Sequence, residues 1–149
     1  MRHRLFVHVV WTTRDRLPSL DAQRATFLVD ILPRLALRER GRILEVGMVS
    51  THLHLLIRYH PTSHLPRLVQ LLKGTSATVA RRDHGLPILW AKGYNVESVS
   101  VRALGAVARY IRSQPEHHPS EAIPGFDLVS LGLIPSLRSG HGPGLGPAR

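Results

Sequence analysis

The stretch Thr51-His52-Leu53-His54-Leu55-Leu56-Ile57-Arg58-Tyr59 constrains this chain more than any other. It is apolar enough to be an interior strand, yet it carries two histidines spaced i, i+2. Successive side chains on a strand point to opposite faces, so His52 and His54 share one face while Leu53, Leu55 and Ile57 share the other. One face can be buried in a core while the other presents a pair of ring nitrogens. On its own, such a pair more often marks a half-exposed face than a metal site. The neighbouring elements decide which reading holds.

Leu5–Trp11 is β-branched and aromatic, the composition of a buried strand. Thr12–Pro18 is a polar, basic connection. From Asp21 to about Arg40, Phe27, Ile31, Leu35 and Leu37 recur at helical spacing, with Asp21 near the N-terminus; Pro33 is expected to kink or split this helix and Gly41 to terminate it. Ile43–Val49 reads as a second strand. Ser50-Thr51 links it to the histidine strand, so the two should pair antiparallel. A second amphipathic helix runs from Ser63 or Leu65 to Arg82, closed by Asp83-His84-Gly85. A fourth strand is placed at Asn95–Val99. A last helix runs from about Val101 to Ser113 and ends at or just before Gln114, because Pro115 disfavours helical geometry in the residue preceding it. The predicted fold is α+β: a ferredoxin-like (RRM-like) β-α-β-β-α-β antiparallel sheet with an added C-terminal helix. Its two main helices lie on one face, leaving the other free. Residues 1–118 form one domain in this reading, and 119–149 a Pro/Gly-rich tail expected to be largely disordered.

Composition narrows the function. The chain has no cysteine, which excludes disulfides and thiolate metal sites. No apolar run approaches the roughly 20 residues of a membrane span, and the N-terminus enters a strand without a signal-peptide pattern, so a cytoplasmic location and no membrane partner are expected. The formal net charge is +10, and Val46–Arg112 holds nine basic against two acidic side chains. A field of that sign favours a polyanion, nucleic acid first, although eighteen of the twenty basic residues are Arg and an arginine-biased composition accounts for part of the excess. The Lys73-Gly74-Thr75-Ser76 patch suits a phosphate backbone and equally suits a solvated helix face. A non-catalytic single-stranded nucleic-acid-binding module is the alternative class. Sheets of that kind stack bases on strand aromatics, and here only 5% of residues are aromatic, with histidines on the candidate strand.

In the last helix Tyr110 and Gln114 stand four apart, on one face. Should that helix pack on the free face of the sheet, His52, His54, Gln114 and Tyr110 converge. Two imidazoles and an amide oxygen suit a divalent cation such as Mg²⁺, Mn²⁺ or Co²⁺ that polarises a phosphate oxygen, and a tyrosine beside it is a plausible nucleophile. Without the histidines, Tyr110 reads better as an amphipathic-helix residue with its ring on the core.

These residues carry a resemblance. His8-Val9-Val10-Trp11 followed by Arg14 and Arg16, Gly47-Met48-Val49-Ser50-Thr51-His52-Leu53-His54-Leu55-Leu56, Leu72-Lys73-Gly74-Thr75-Ser76, Trp90-Ala91-Lys92-Gly93-Tyr94 and Tyr110-Ile111-Arg112-Ser113-Gln114-Pro115-Glu116-His117-His118 are five blocks in order. Together they resemble the single-tyrosine HUH transposases, those of small insertion sequences and the REP-associated tyrosine transposases. The resemblance implies that Tyr110 is the nucleophile and that His52, His54 and Gln114 hold Mg²⁺ or Mn²⁺. It implies cleavage and rejoining of single-stranded DNA through a 5′-phosphotyrosine at hairpin-bearing element ends. DNA contacts are then expected from Arg14, Arg16, Lys73, Thr75, Ser76, Arg81, Lys92, Arg109 and Arg112. Another small HUH endonuclease (a replication initiator or relaxase) and a domesticated binder share these features, and a homodimer is left open. Thr51 departs from the pattern, standing where many members have Asp or Asn, and Pro115 directly follows Gln114. His8, His60, His64, His117 and His118 are read as structural or solvent-exposed.

Overall fold

A computed structural model describes residues 2–128. Its sheet has four antiparallel strands in the order β2-β3-β1-β4: β1 (Leu5–Thr12), β2 (Gly41–Val49), β3 (His52–Tyr59) and β4 (Asn95–Val99). Helices α1 (Ala22–Arg38) and α2 (Leu65–His84) follow β1 and β3, which makes the β-α-β-β-α-β ferredoxin-like arrangement. Two central strands carry the apolar load. β3 pairs with β1 on one side (Val10 opposite His54) and with β2 on the other (Gly47 opposite His54).

The alternation read from β3 holds. Leu53, Leu55 and Ile57 face α1 and α2 and join Val7, Val9, Trp11, Val46 and Met48 in the main core, with Leu28, Leu32, Leu35, Leu68 and Leu72 from the helices. His52, His54 and Leu56 face the other way. That second face is covered in part by α3 (Leu104–Arg112), whose Ala108 and Ile111 pack on Phe6, Leu56 and Val99.

Four local expectations are corrected. Pro33 does not split α1, which runs through it from Ala22 to Arg38. The turn after α1 is made by Arg40 in the left-handed region (φ 58), while Gly41 already belongs to β2. The last helix ends at Arg112, just before Gln114 as expected, but its start at Val101 is a 3₁₀ turn (Val101–Ala103). Pro115 does not keep Gln114 out of helical geometry: Gln114 opens a separate single turn, α4 (Gln114–His117), with Pro115 in its first positions. Finally, the ordered structure does not stop at His118. Pro119–Glu121 form a 3₁₀ turn, Glu121 accepts a backbone hydrogen bond from Ser50, and Ile123 is buried in the main core with Phe126 and Leu128 packed against it. Three apolar residues within six positions are enough to hold such a segment down. The remainder of the predicted tail lies outside the described residues. Among the described residues no helix is long and apolar enough to cross a membrane.

Candidate active site

A glycine decides how closely α3 can approach the sheet. A Cβ on Gly47 would lie 1.9 Å from the carbonyl oxygen of Ile111, so α3 rests directly on the β2 backbone there. Buried Glu45, two residues earlier on the same face, pairs with Arg112 of α3 at 3.7 Å. The glycine seat and this ion pair set the height and rotation of α3. As a result Tyr110 stands over β3, its ring centroid 5.7 Å from that of His54 and its side chain half open to solvent.

The break between α3 and α4 at Ser113 turns Gln114 inward. Its amide is fully buried, donates to the Tyr110 carbonyl at 3.2 Å and brings Oε1 to 3.4 Å from Nε2 of His52. His52 and His54 are themselves buried, with ring centroids 5.1 Å apart. The structure therefore brings together all four residues that the sequence singled out, although Tyr110 and Gln114 belong to two helical turns rather than one.

Burial sets the protonation of these rings. His54 is pushed down to about 3, first by burial and then by the neighbouring His8, His52 and His118, against a hydrogen bond to Gln114 that favours the charged ring. Burial also lowers His52, opposed by the Gln114 hydrogen bond. His8 is lowered by burial against the pull of Glu97. Near neutral pH the imidazoles are uncharged, the form in which they act as ligands. Among the described residues there is no cluster of three or more His, Cys, Asp or Glu spaced to hold an ion; the third donor here is an amide. The spacing of one donor pair can still be compared with what a divalent cation requires. Two donors each about 2.1 Å from one ion and at right angles stand about 3 Å apart, close to the His52–Gln114 separation.

Sequence reasoning missed three neighbours. His8 of β1 has its Nε2 2.7 Å from Nδ1 of His54 and its ring 6.1 Å from that of Tyr110, so it is part of the site. The signal was available: His8 lies in phase with Phe6 and Val10 on the strand next to β3. His117 packs on the Tyr110 ring (5.1 Å) and His118 on the His52 ring (5.2 Å). His64, as expected, is structural, capping α2 by accepting from the Arg67 backbone N–H. Beside the site a cleft of about 640 Å³ is lined by His8, Val10, His54, Glu97, Val107 and Tyr110, among others.

The expected DNA contacts divide. Arg14, Lys73, Arg81 and Lys92 line one basic groove of about 400 Å³. Within it Lys73 donates to the carbonyls of Ala91 and Gly93 at 2.8 and 2.7 Å, pinning the Trp90–Tyr94 segment to α2. Ser76 is fully buried, donates to the Lys73 carbonyl and accepts from the Trp90 indole, and so cannot reach a backbone outside. Two of the five sequence blocks are thus interlocked with each other. Arg112 is committed to Glu45. Thr75 is half-buried and faces a different groove, between α1 and α2. Arg109 is exposed on α3. Arg16, exposed and in the left-handed region (φ 51), is close enough to disfavour the charged form of His52.

Comparison with known proteins agrees with this fold. Residues 1–114 match the family described as IS200-like transposases. The ISDra2 transposase TnpA of Deinococcus radiodurans is 28% identical over 121 residues, covering 75% of this chain and 85% of its own. The crystal structure of a putative transposase from Deinococcus radiodurans shares 27% identity at a TM-score of 0.58, covering 76% of this chain and 93% of that one. A REP-associated tyrosine transposase bound to a REP hairpin superposes at a TM-score of 0.62 with 13% identity, over 79% of this chain and 72% of its own, a likeness of fold. On the extent of the family match, the chain belongs to the IS200-like transposases, enzymes that cleave DNA and transfer its strands.

Proposed function

We propose that this transposase cuts and rejoins single-stranded DNA at hairpin-bearing ends, with Tyr110 as nucleophile. The observation that carries the proposal is the convergence at one end of the free sheet face. Tyr110 lies over His54, and the amide oxygen of Gln114 stands 3.4 Å from His52. His52, His54 and Gln114 would hold Mg²⁺ or Mn²⁺, which when bound supplies Lewis-acid polarisation of a phosphate oxygen. The Tyr110 phenol oxygen attacks the phosphorus and loses its proton. The bond to the 3′ oxygen breaks, leaving a 5′-phosphotyrosine and a free 3′-hydroxyl. A later 3′-hydroxyl attacks the phosphotyrosine and releases Tyr110, so rejoining needs no ATP. The cleft lined by His8, His54, Glu97 and Tyr110 is of a size to receive a nucleotide next to the scissile bond. Arg14, Arg81 and Lys92 in their groove, with Arg16 and Arg109, would hold the strand through its phosphates. The cytoplasm, where such DNA is met, belongs to the same reading.

The test is incubation with a single-stranded hairpin oligonucleotide and Mn²⁺ or Mg²⁺, followed by a denaturing gel. A covalent protein–DNA adduct is expected for the parent. It should vanish in Tyr110→Phe, which keeps DNA binding, and in His52→Ala and His54→Ala, which lose metal affinity. An adduct lost in Tyr94→Phe and kept in Tyr110→Phe would assign the reaction to the wrong tyrosine.

A further inference from the structure

Glu121 lies beyond the four convergent residues, yet it is wired to one of them. The Thr51 hydroxyl donates to Oε1 of Glu121 at 2.8 Å, and the hydroxyl oxygen Oγ1 of Thr51 lies 2.9 Å from Nδ1 of His52. Thr51 is buried, so few other partners compete for its hydroxyl. We infer that Glu121 is a positioning residue, which acts through Thr51 to keep the His52 proton on Nδ1 and the Nε2 lone pair turned toward Gln114.

The argument is a count of protons. A carboxylate oxygen only accepts, so it takes the single hydroxyl proton of Thr51. The Thr51 oxygen then has only lone pairs left to offer His52. A short contact with Nδ1 is favourable only if Nδ1 carries the ring proton, and in a neutral imidazole Nε2 is then bare. The Gln114 oxygen competes for a proton on Nε2, but at 3.4 Å it is the longer contact, against 2.9 Å for Thr51 on Nδ1. Without the carboxylate the hydroxyl is free to turn and donate to Nδ1. The ring proton would then sit on Nε2, aimed at the position a cation would share with Gln114. Outer partners of metal-binding histidines act in this way, by fixing tautomer and ring orientation.

The placement of Glu121 is built rather than incidental. Its backbone carbonyl accepts from Ser50 N–H at 2.8 Å and its N–H donates to the His118 carbonyl at 2.9 Å. Two residues later Ile123 is buried in the main core. The second carboxylate oxygen lies 3.6 Å from Nδ1 of His118, whose ring in turn packs on His52. The carboxylate is therefore held from both sides of the chain, next to the hairpin that delivers His52.

The inference rests on the metal reading of His52, and the experiment separates the two. In metal-free, ¹⁵N-labelled parent protein, long-range ¹H–¹⁵N correlation should show His52 protonated on Nδ1, the ring being identified by its loss in His52→Gln. Glu121→Ala should move that proton wholly or partly to Nε2 and weaken Mn²⁺ binding by about 10–100-fold in calorimetry. Thr51→Val should weaken it to the same extent, and the double variant no further. Glu121→Gln, whose amide oxygen can still accept, should retain most of the affinity and the parent tautomer. A parent His52 protonated on Nε2 overturns the inference, as does a Glu121→Ala protein that binds Mn²⁺ as tightly as the parent. Should the parent bind no Mn²⁺ at all, the metal reading fails, while the tautomer measurement still decides whether Glu121 positions His52.

Discussion

Gly47→Ala is the smallest change that should disable the site while sparing the fold. The new methyl would lie 1.9 Å from the Ile111 carbonyl oxygen and 2.7 Å from the carbonyl carbon, both backbone atoms that no rotamer change can move away. Reaching even the 3.0 Å that Cβ contacts essentially never breach requires α3 to lift by at least about 1.1 Å. The cost in stability should be that of local overpacking, about 1–3 kcal/mol, because the main core lies on the opposite face of the sheet. The cost in activity should be larger. Tyr110 and Gln114 ride on the displaced segment while His52 and His54 stay with β3, and a misplacement of about 1 Å can slow a positioned reaction about 100-fold. Single-turnover adduct formation on hairpin DNA, alongside thermal unfolding, measures both quantities. A variant that unfolds within a few degrees of the parent and forms adduct at a third of its rate or faster would refute the claim that α3 is seated on Gly47.

Three further outcomes are expected. His54 has a folded-state pKa lowered from 6.5 to about 3, so between those values the unfolded chain binds more protons. The stability it contributes is complete above pH 6.5 and is lost as pH falls toward 3; urea titrations of metal-free protein across that window should show a flatter pH slope for His54→Gln, and identical slopes would sink this account. Lys73→Met leaves the Ala91 and Gly93 carbonyls without their donor and should lower the unfolding free energy by about 1–3 kcal/mol with little effect on the salt dependence of DNA binding; a weaker salt slope with unchanged stability would instead return Lys73 to the DNA interface. His8→Phe keeps a ring beside His54 and removes its hydrogen-bond partner, so Mn²⁺ affinity should fall about tenfold, and unchanged affinity would show that His8 merely packs there.

What the sequence made legible was whatever repeats with a period. Alternation in His52–Tyr59 separated the histidine face from the core face correctly, and helical spacing placed α1 and α2 to within a few residues. Features that depend on one particular contact stayed hidden. Arg40 in the left-handed region cannot be told in advance from Gly41 beside it, the residue type favoured there. Lys73 and Ser76 read as phosphate contacts because a basic, hydroxyl-bearing patch looks the same whether it faces solvent or another loop. Only the fold shows the Trp90–Tyr94 segment occupying that face. The Pro-rich run after His118 was read as tail because its composition outweighed three apolar residues, Ile123, Phe126 and Leu128, which find the core only once the sheet exists.

The two faces of the sheet divide the work unequally, and that division explains why so small a domain can carry a buried polar site. On one face α1 and α2 cover a continuous apolar core spanning the three strands β1, β2 and β3. On the other, the buried apolar cluster holding α3 is Phe6, Leu56, Val99, Ala108 and Ile111. A cluster of five side chains fixes a helix loosely in rotation, since apolar contacts are not directional. The directional elements are polar: Arg112 on Glu45, and Gln114 between the Tyr110 carbonyl and His52. A buried polar group without partners costs more than it contributes, so each of these bonds makes alternative settings of α3 unfavourable. The groups that orient Tyr110 are therefore, in part, the groups that would bind the cation. A cation entering among His52, His54 and Gln114 would tighten the same joint that aims Tyr110.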